Sequence, residues 1–340
     1  AVSVSDLKKN YNNLNVEFDL WKGESDVHDI IPGMVAYMKE NGYAHESEGA
    51  LVVDVKEETD TKEIPPCMIL KSDGAALYAT TELGTIVARE KEYQPDEMIY
   101  ITDKRQELHF VQVFRCAKKT GIVRETTELK HIGFGTITGA DGKPFKTRDG
   151  NVPSLDEMVD IVAESVRKRA VESGKDLPNE TIEMIALAAL KFNDLMHDVK
   201  SDYVFDTDSV TQFEGRTGPY VLYTAVRLNS VVNKAHNMGI TPSIDIDNIS
   251  LHPAERNLLL RLLDFERVLE NAFTRRATDL LANFAYDLCQ DINTFYHHCP
   301  ILRDDIDAST KQSRLQIVEM ARKTLLTSID LMGLRVPNAM

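Results

Sequence analysis

Met98-Ile99-Tyr100-Ile101-Thr102-Asp103-Lys104-Arg105-Gln106-Glu107-Leu108-His109-Phe110 is an apolar run, then a polar turn, then the start of a helical pattern that continues to Lys118. The first five residues predict a strand, and Glu107 to Lys118 has helical spacing. Strand followed by helix is the unit of a parallel α/β layer, and such layers bind ligands outside the carboxyl ends of their strands. Gln106 and His109 are three apart and within reach of one pocket there, although an ordinary first helical turn accounts for them more simply. Outward from this stretch, Leu77 to Glu90 predicts a helix, and Ala50–Val55 and Cys67–Leu70 predict strands. Asp26 to Glu40 predicts another helix, with Ile30, Ile31, Met34, Val35 and Met38 on one face and Gly42 as its stop. On the other side, His131–Phe134 predicts a strand leading into Thr136–Phe145, where Asp141-Gly142 is a hairpin turn signal.

Near residue 150 the pattern changes. Pro153-Ser154-Leu155-Asp156-Glu157 has the form of a capping box, with Ser154 as cap and Glu157 reaching back. From there to Met340 the spacing predicts no strand and five helical segments: 154–172, 180–197, 217–238, 253–299 with a break near Thr274, and 310–332. Thr217 caps the third, Pro219 lies in its first turn and Gly239 stops it. Ala170–Asn179, with Gly174 and Pro178, reads as a linker. Residues 1–150 are therefore expected to form an α/β region, 151–179 a connecting helix and linker, and 180–340 an all-helical bundle.

The 340 residues carry a net charge of −15, with 43% hydrophobic and 27% charged residues, which suits a globular chain of about two domains. No apolar run approaches the ~20 residues that span a bilayer. Ala1-Val2-Ser3 begins neither a basic n-region nor an apolar h-region, so no membrane association and no secretory signal are expected. Cys67, Cys116, Cys289 and Cys299 are scattered and have no His at ligand spacing. They read as reduced thiols of a cytoplasmic protein, not as a zinc site or disulfide frame. His297 and His298 are neighbours on a predicted helix and point to different faces, which argues against a two-His metal site. The acidic balance speaks against broad phosphate binding, yet a local basic or aromatic surface can bind RNA on an acidic protein.

Three more segments carry candidate chemistry. In Lys71-Ser72-Asp73-Gly74-Ala75-Ala76-Leu77-Tyr78-Ala79-Thr80-Thr81-Glu82-Leu83, Tyr78 and Glu82 share a helical face. A carboxylate beside a phenol can pair with a guanidinium, though a plain surface helix has the same spacing. His131-Ile132-Gly133-Phe134-Gly135 precedes Gly142-Lys143-Pro144-Phe145-Lys146-Thr147-Arg148. Its three cations within six residues would clamp a polyphosphate or form a solvated basic loop. In Phe213–Arg227, Tyr220 and Arg227 are seven apart on one face, which suits either stacking on unpaired bases or a core tyrosine. The chain has no Walker-type glycine loop, which disfavours a kinase or nucleotidyl transferase.

Taken in order, these segments resemble the arginyl-tRNA synthetases over essentially the whole chain. The family patterns K-S-D-G-x-x-L-Y-x-T-x-D-L, I-Y-x-x-x-x-x-Q-x-L-H-x-x-Q-x-F and H-x-x-F-G with G-K-x-F-K-T-R correspond to Lys71–Leu83, Ile99–Phe114 and His131–Arg148. K-F-x-D-L, D-Y-x-F-D and F-E-G-x-T-x-P-Y correspond to Lys191–Leu195, Asp202–Asp206 and Phe213–Tyr220. The resemblance implies a Rossmann-like catalytic domain, present in its C-terminal part, followed by an all-α anticodon-binding bundle.

The resemblance also implies roles. Tyr78, Glu82 and Gln106 would line the arginine pocket, with Glu82 standing where the family usually has Asp. Lys143 and Lys146, at the spacing of the class I K-M-S-K-S loop, would hold the ATP triphosphate, with Mg²⁺ accompanying the nucleotide. His109, His131, Gly133 and Gly135 would border the adenosine site. Tyr220, Arg227, Tyr296 and Met340 match positions that contact the anticodon loop. The implied partners are ATP, L-arginine and arginine tRNA, acted on by a monomer. The H-I-G-H motif expected of the class is not found, and His131-Ile132-Gly133-Phe134 does not supply it. The chain is therefore expected to be a C-terminal portion, inactive alone, with a non-catalytic tRNA-binding module as the other reading. Gly333–Met340 looks like the family's own C-terminus.

Overall fold

A computed structural model of the chain describes residues 2–139, 155–244 and 250–340. Two compact units emerge, residues 18–136 and residues 1–17 together with 137–340. Helix α1 (Val2–Asn13) opens the chain and belongs to the second of these.

In the unit 18–136, α2 (Ile31–Glu40) follows a 3-10 turn at Glu24–Val27, so the helix predicted from Asp26 begins at Ile31 instead. Pro32 decides this, because a residue without an N–H fits only the first helical turn. Strands β1 (His45–Ser47), β2 (Ala50–Val53) and β3 (Cys67–Leu70) form an antiparallel sheet. Glu48 and Gly49, with φ of 52° and 81°, make the two-residue turn between β1 and β2; two positive φ values match the twist of an antiparallel hairpin. Helix α3 (Tyr78–Tyr93), β4 (Glu97–Asp103), α4 (Glu107–Lys119) and β5 (Glu128–Phe134) follow. β4 and β5 pair in parallel from Glu97↔Glu128 to Asp103↔Phe134. The parallel layer expected across the whole region is thus confined to β4-α4-β5. Met38, Ile69, Leu83, Ile86, Phe110 and Val113 fill the core, each worth ~1.5–3 kcal/mol on burial. Thr80, fully buried, ties α3 to β3: its hydroxyl donates to the Ile69 carbonyl and accepts from the Leu77 N–H at 3.1 Å.

In the second unit α1 is followed by β6 (Ile137–Thr138), then α5 (Leu155–Glu172), α6 (Asn179–Leu195), β7 (Tyr203–Val204) and α7 (Thr207–Val210). Helices α8 (Gly218–Asn237), α9 (Pro253–Leu263), α10 (Phe265–Arg275), α11 (Thr278–His298) and α12 (Ala308–Leu331) complete it. β6 pairs in parallel with β7. This corrects the expectation of no strand beyond residue 150. The hairpin signal at Asp141-Gly142 and the cap at Ser154 lie outside the described residues. The long fourth segment breaks at Arg276, whose φ is 54°, close to the break expected near Thr274, and a second time at Asp264, which the spacing did not predict. Phe192, Leu222, Leu228, Leu258, Leu288 and Phe295 are fully buried between the helices. All four cysteines are buried and free, and among the described residues no helix is long and apolar enough to cross a membrane.

Helices α6 and α8 meet backbone to backbone. A Cβ on Gly218 would lie 2.0 Å from the Ala188 carbonyl oxygen and 2.9 Å from the Ala189 nitrogen, so only glycine fits. Gly218→Ala must push the helices apart, an overpacking that costs ~1–3 kcal/mol. Calorimetry on the variant is expected to show Tm lowered by at least ~4 °C; an unchanged Tm would mean the contact is not tight.

Candidate functional site

The first candidate region lies at the carboxyl ends of β4 and β5. Asp103 ends β4, accepts from the Arg105 N–H at 2.8 Å and grips the Arg105 guanidinium through two bonds of 2.8 and 2.6 Å. That guanidinium holds the Asp103 carboxyl down at about 2. The turn ends at Gln106, which is exposed. His109 follows in the first turn of α4, half-buried; burial pushes its imidazole pKa down, and His131 adds to the effect. His131 stacks on Phe110 at 4.7 Å and 15°, and its Nε2 is 2.8 Å from the Thr102 hydroxyl. Gly133 is buried against the turn: a Cβ there would stand 2.6 Å from Lys104 Cα. Gly135 follows just beyond β5, partly exposed. The geometry therefore gathers His109, His131 and Gly133 around one turn, with Phe110 between the imidazoles.

Glu82 lies one turn into α3 and lines a cavity of about 810 Å³ with Lys22, Glu24, Arg89, Tyr93 and Tyr100. Burial raises its carboxyl pKa, Arg89 opposes the shift and Glu24 adds to it. Burial likewise pushes the Tyr100 phenol up to about 12. Tyr78, at the start of the same helix, is 73% exposed; neither it nor Gln106 lines this cavity. Of the three residues expected to share an arginine pocket, Glu82 alone lines this cavity. Shared helical spacing fixes the face of Tyr78 and Glu82 but not the depth: Tyr78 is exposed at the start of the helix and Glu82, one turn on, is partly buried.

The second candidate region is a cavity of about 530 Å³ in the helical unit, walled by Lys175, Phe213, Tyr220, Tyr223, Arg227 and Met340 among others. Thr217 caps α8, accepting from the Tyr220 N–H at 3.3 Å, with Pro219 in the first turn. Tyr220 is half-buried against the core, and its hydroxyl accepts from Gln290 Nε2 at 2.9 Å and Asn293 Nδ2 at 2.7 Å. Arg227, two turns on, donates to Asn293 Oδ1 at 2.9 Å, and its guanidinium carbon sits 3.7 Å from the Tyr296 ring centroid. Tyr296 is 37% exposed. Met340 packs partly on the core, and its carbonyl accepts from Lys175 Nζ at 3.1 Å. The structure thus brings Tyr220, Arg227 and Met340 to one cavity, with Tyr296 held against Arg227. Aromatic faces beside guanidinium and ammonium groups suit the flat face and flanking phosphates of an unpaired nucleotide. Lys143 and Lys146 lie outside the described residues.

Sequence reasoning did not single out Gln290, Asn293, Tyr223 or Lys175 here, nor Arg89 and Tyr100 in the other cavity. A signal existed for two of them: Gln290 and Asn293 precede Tyr296 on one predicted helix, three residues apart.

Because burial raises the Glu82 pKa, the folded protein holds this proton to higher pH than the unfolded chain. Stability therefore falls as pH rises from the ordinary carboxylate value through the raised one. Glu82→Gln removes that cost. The variant is expected to melt above the parent at pH 7, the gap closing below about pH 4 where Glu82 is protonated in both states. A gap of equal size at both pH values would contradict a buried ionised carboxylate.

Comparison with known proteins adds three findings. The family described as "tRNA synthetases class I (R), catalytic domain" matches residues 1–207, and "DALR anticodon binding domain" matches residues 221–340. Among curated relatives, the arginine–tRNA ligase of Agathobacter rectalis is 48% identical over 350 residues and that of Alkaliphilus oremlandii 45% over 342. In each case all of this chain is covered, and the chain spans 58% of the relative's length. The solved structure of Thermus thermophilus arginyl-tRNA synthetase superposes with a TM-score of 0.84 at 24% identity. That match covers 98% of this chain and 62% of that one, and shows a shared fold.

Proposed function

The chain belongs to the class I arginyl-tRNA synthetases, and from that premise we propose that it serves the ATP-dependent joining of L-arginine to arginine tRNA through an arginyl-adenylate. Glu82 is the anchor for the substrate guanidinium, by a charge-assisted pair in a cavity where the carboxylate has few partners of its own. Tyr78 and Gln106 join it when substrate is bound. His109 and His131, layered around Phe110, offer flat surfaces beside adenosine. Gly133 and Gly135 keep the strand end low enough for a nucleotide to approach. Lys143 and Lys146 are assigned to the triphosphate, where positioning and charge stabilisation of departing pyrophosphate supply most of the rate. Mg²⁺ is assigned to the nucleotide. Among the described residues no three His, Cys, Asp or Glu side chains converge on a point, so phosphate oxygens would be its main ligands. Residues 180–340 are assigned to anticodon binding, and the protein to the cytoplasm as a monomer.

The observation that carries the RNA half of this reading is the shared cavity of Tyr220, Arg227 and Met340, with Tyr296 beneath Arg227. Stacking on an aromatic side chain is worth ~1–3 kcal/mol per base. Tyr296→Ala and Arg227→Ala are each expected to weaken binding of an arginine tRNA transcript about tenfold or more, with Tm held within ~2 °C. Lost Tm with intact affinity would make them packing residues. For the amino-acid half, Glu82→Gln in the whole protein is expected to raise KM for arginine at least ~10-fold; an unchanged KM removes Glu82 from the pocket.

A further inference from the structure

Asn293 stands between the two side chains on which the RNA site depends. Its Oδ1 accepts from Arg227 Nη1 at 2.9 Å and its Nδ2 donates to the Tyr220 hydroxyl at 2.7 Å. The amide cannot face the other way, because a guanidinium has only donors and must meet the oxygen. Arg227 therefore dictates that Asn293 presents its NH₂ to Tyr220, and this makes the phenol oxygen an acceptor. Gln290 Nε2 donates to the same oxygen at 2.9 Å. With its lone pairs engaged by two amides, the phenol has only its own proton left to offer, and Tyr220 lines the cavity.

We infer that Asn293 is a positioning residue of the anticodon site: it holds Arg227 over Tyr296 and fixes Tyr220 as a hydrogen-bond donor. The cavity then confronts an incoming nucleotide with donors from both side chains, which selects acceptor-bearing atoms such as base carbonyls, ring nitrogens and phosphate oxygens. The inference rests on the RNA-binding reading above. It adds that the site is built before RNA arrives, so little side-chain freedom remains to be lost on binding. Asn293 sits on α11 and its two clients on α8, so the amide also sets the register of the two helices at this point.

The test is a set of double-mutant cycles on the full chain, read by affinity for an arginine tRNA transcript: Asn293→Ala against Tyr220→Phe, and Asn293→Ala against Arg227→Ala. Asn293→Ala alone is expected to weaken binding about tenfold. In either partner background its cost should shrink to about twofold or less, because residues in one network are not additive. Additive losses in both cycles overturn the inference. Should Asn293→Ala fail to fold, the cycles are run with Asn293→Asp, which keeps the size and the acceptor for Arg227. The criterion is again that its cost falls in the Tyr220→Phe background. A transcript changed at the middle anticodon base supplies a second readout: Asn293→Ala should narrow the preference for the unchanged transcript, which loss of general stability would not do. If Arg227→Ala binds tRNA as well as the parent, the RNA-site reading itself fails. If Arg227→Ala weakens binding while the cycles stay additive, only the role of Asn293 fails.

Discussion

The helical unit is organised by the contact at which the α8 backbone rests on the α6 backbone. With the Gly218 Cα pressed against the Ala188 carbonyl, the first turn of α8 has one possible height above α6, and Tyr220 inherits it two residues later. Lys191, one turn beyond Ala188 on α6, donates to the Leu14 carbonyl at 2.9 Å and the Gly333 carbonyl at 3.0 Å. Asn15 and Arg335 reinforce that junction, Asn15 by a bond of 3.1 Å to the same Gly333 carbonyl. From Gly333 the buried Leu334 and Pro337 lead the chain to Met340, where Lys175 meets its carbonyl. Tyr220 and Met340 are far apart in sequence and share a cavity because both are measured from the same helix. Loss of the α6 reference would therefore damage the site without touching any residue in it.

The two candidate regions handle charge differently. In the α/β unit burial pushes two of the site's groups toward their neutral forms, raising the Glu82 carboxyl and lowering the His109 imidazole, while Arg105 holds Asp103 toward its charged form. A carboxylate raised by burial has few good partners in the free protein, and a cationic substrate would supply one. The helical cavity instead places cationic side chains by π-faces, Arg227 over Tyr296 and Lys175 near Tyr223 at 6.0 Å. Such a cation stays strongly polar, yet it is already packed.

Much of this architecture was legible in the sequence, and the misses have physical causes. Helices with a continuous apolar face, such as α4, α6 and α8, lie where their spacing placed them, because burial of that face is what forms them. Helix α1 was not anticipated. Its attachment runs through Lys9 and Asn13 to Asp156, partners more than a hundred residues away that no periodicity reveals. The hairpin β1–β2 turns on Glu48-Gly49, which lacks the Asn-Gly or Asp-Gly signature although it adopts the same backbone. The pair β6–β7 consists of two-residue strands joined across the second unit, too short for any alternation to register. In the site, the aromatic and cationic residues could be named from spacing and resemblance. The amides that orient them could not: Asn293 matters through the two atoms it bridges, and that depends on how α8 and α11 cross.

On the proposed function, the overall charge bears on how such a site would read RNA. At −15 the chain repels a polyanion at distance, and salt screens that repulsion beyond about 8 Å at physiological ionic strength. Non-specific nucleic-acid binding draws almost wholly on phosphate contacts and counterion release, so an acidic surface suppresses it. Stacking on Tyr296 and donation from Tyr220 and Arg227 act only at contact distance and are spared. An acidic body with a few cations packed on aromatic rings therefore forgoes loose affinity for any RNA, while a matched unpaired loop loses little. Prearranging those cations strengthens the effect, because a guanidinium already fixed by Asn293 is less free to follow phosphates in arbitrary positions. On the proposed function, the negative charge would thus work as a filter, provided the contacts within the cavity are rigid.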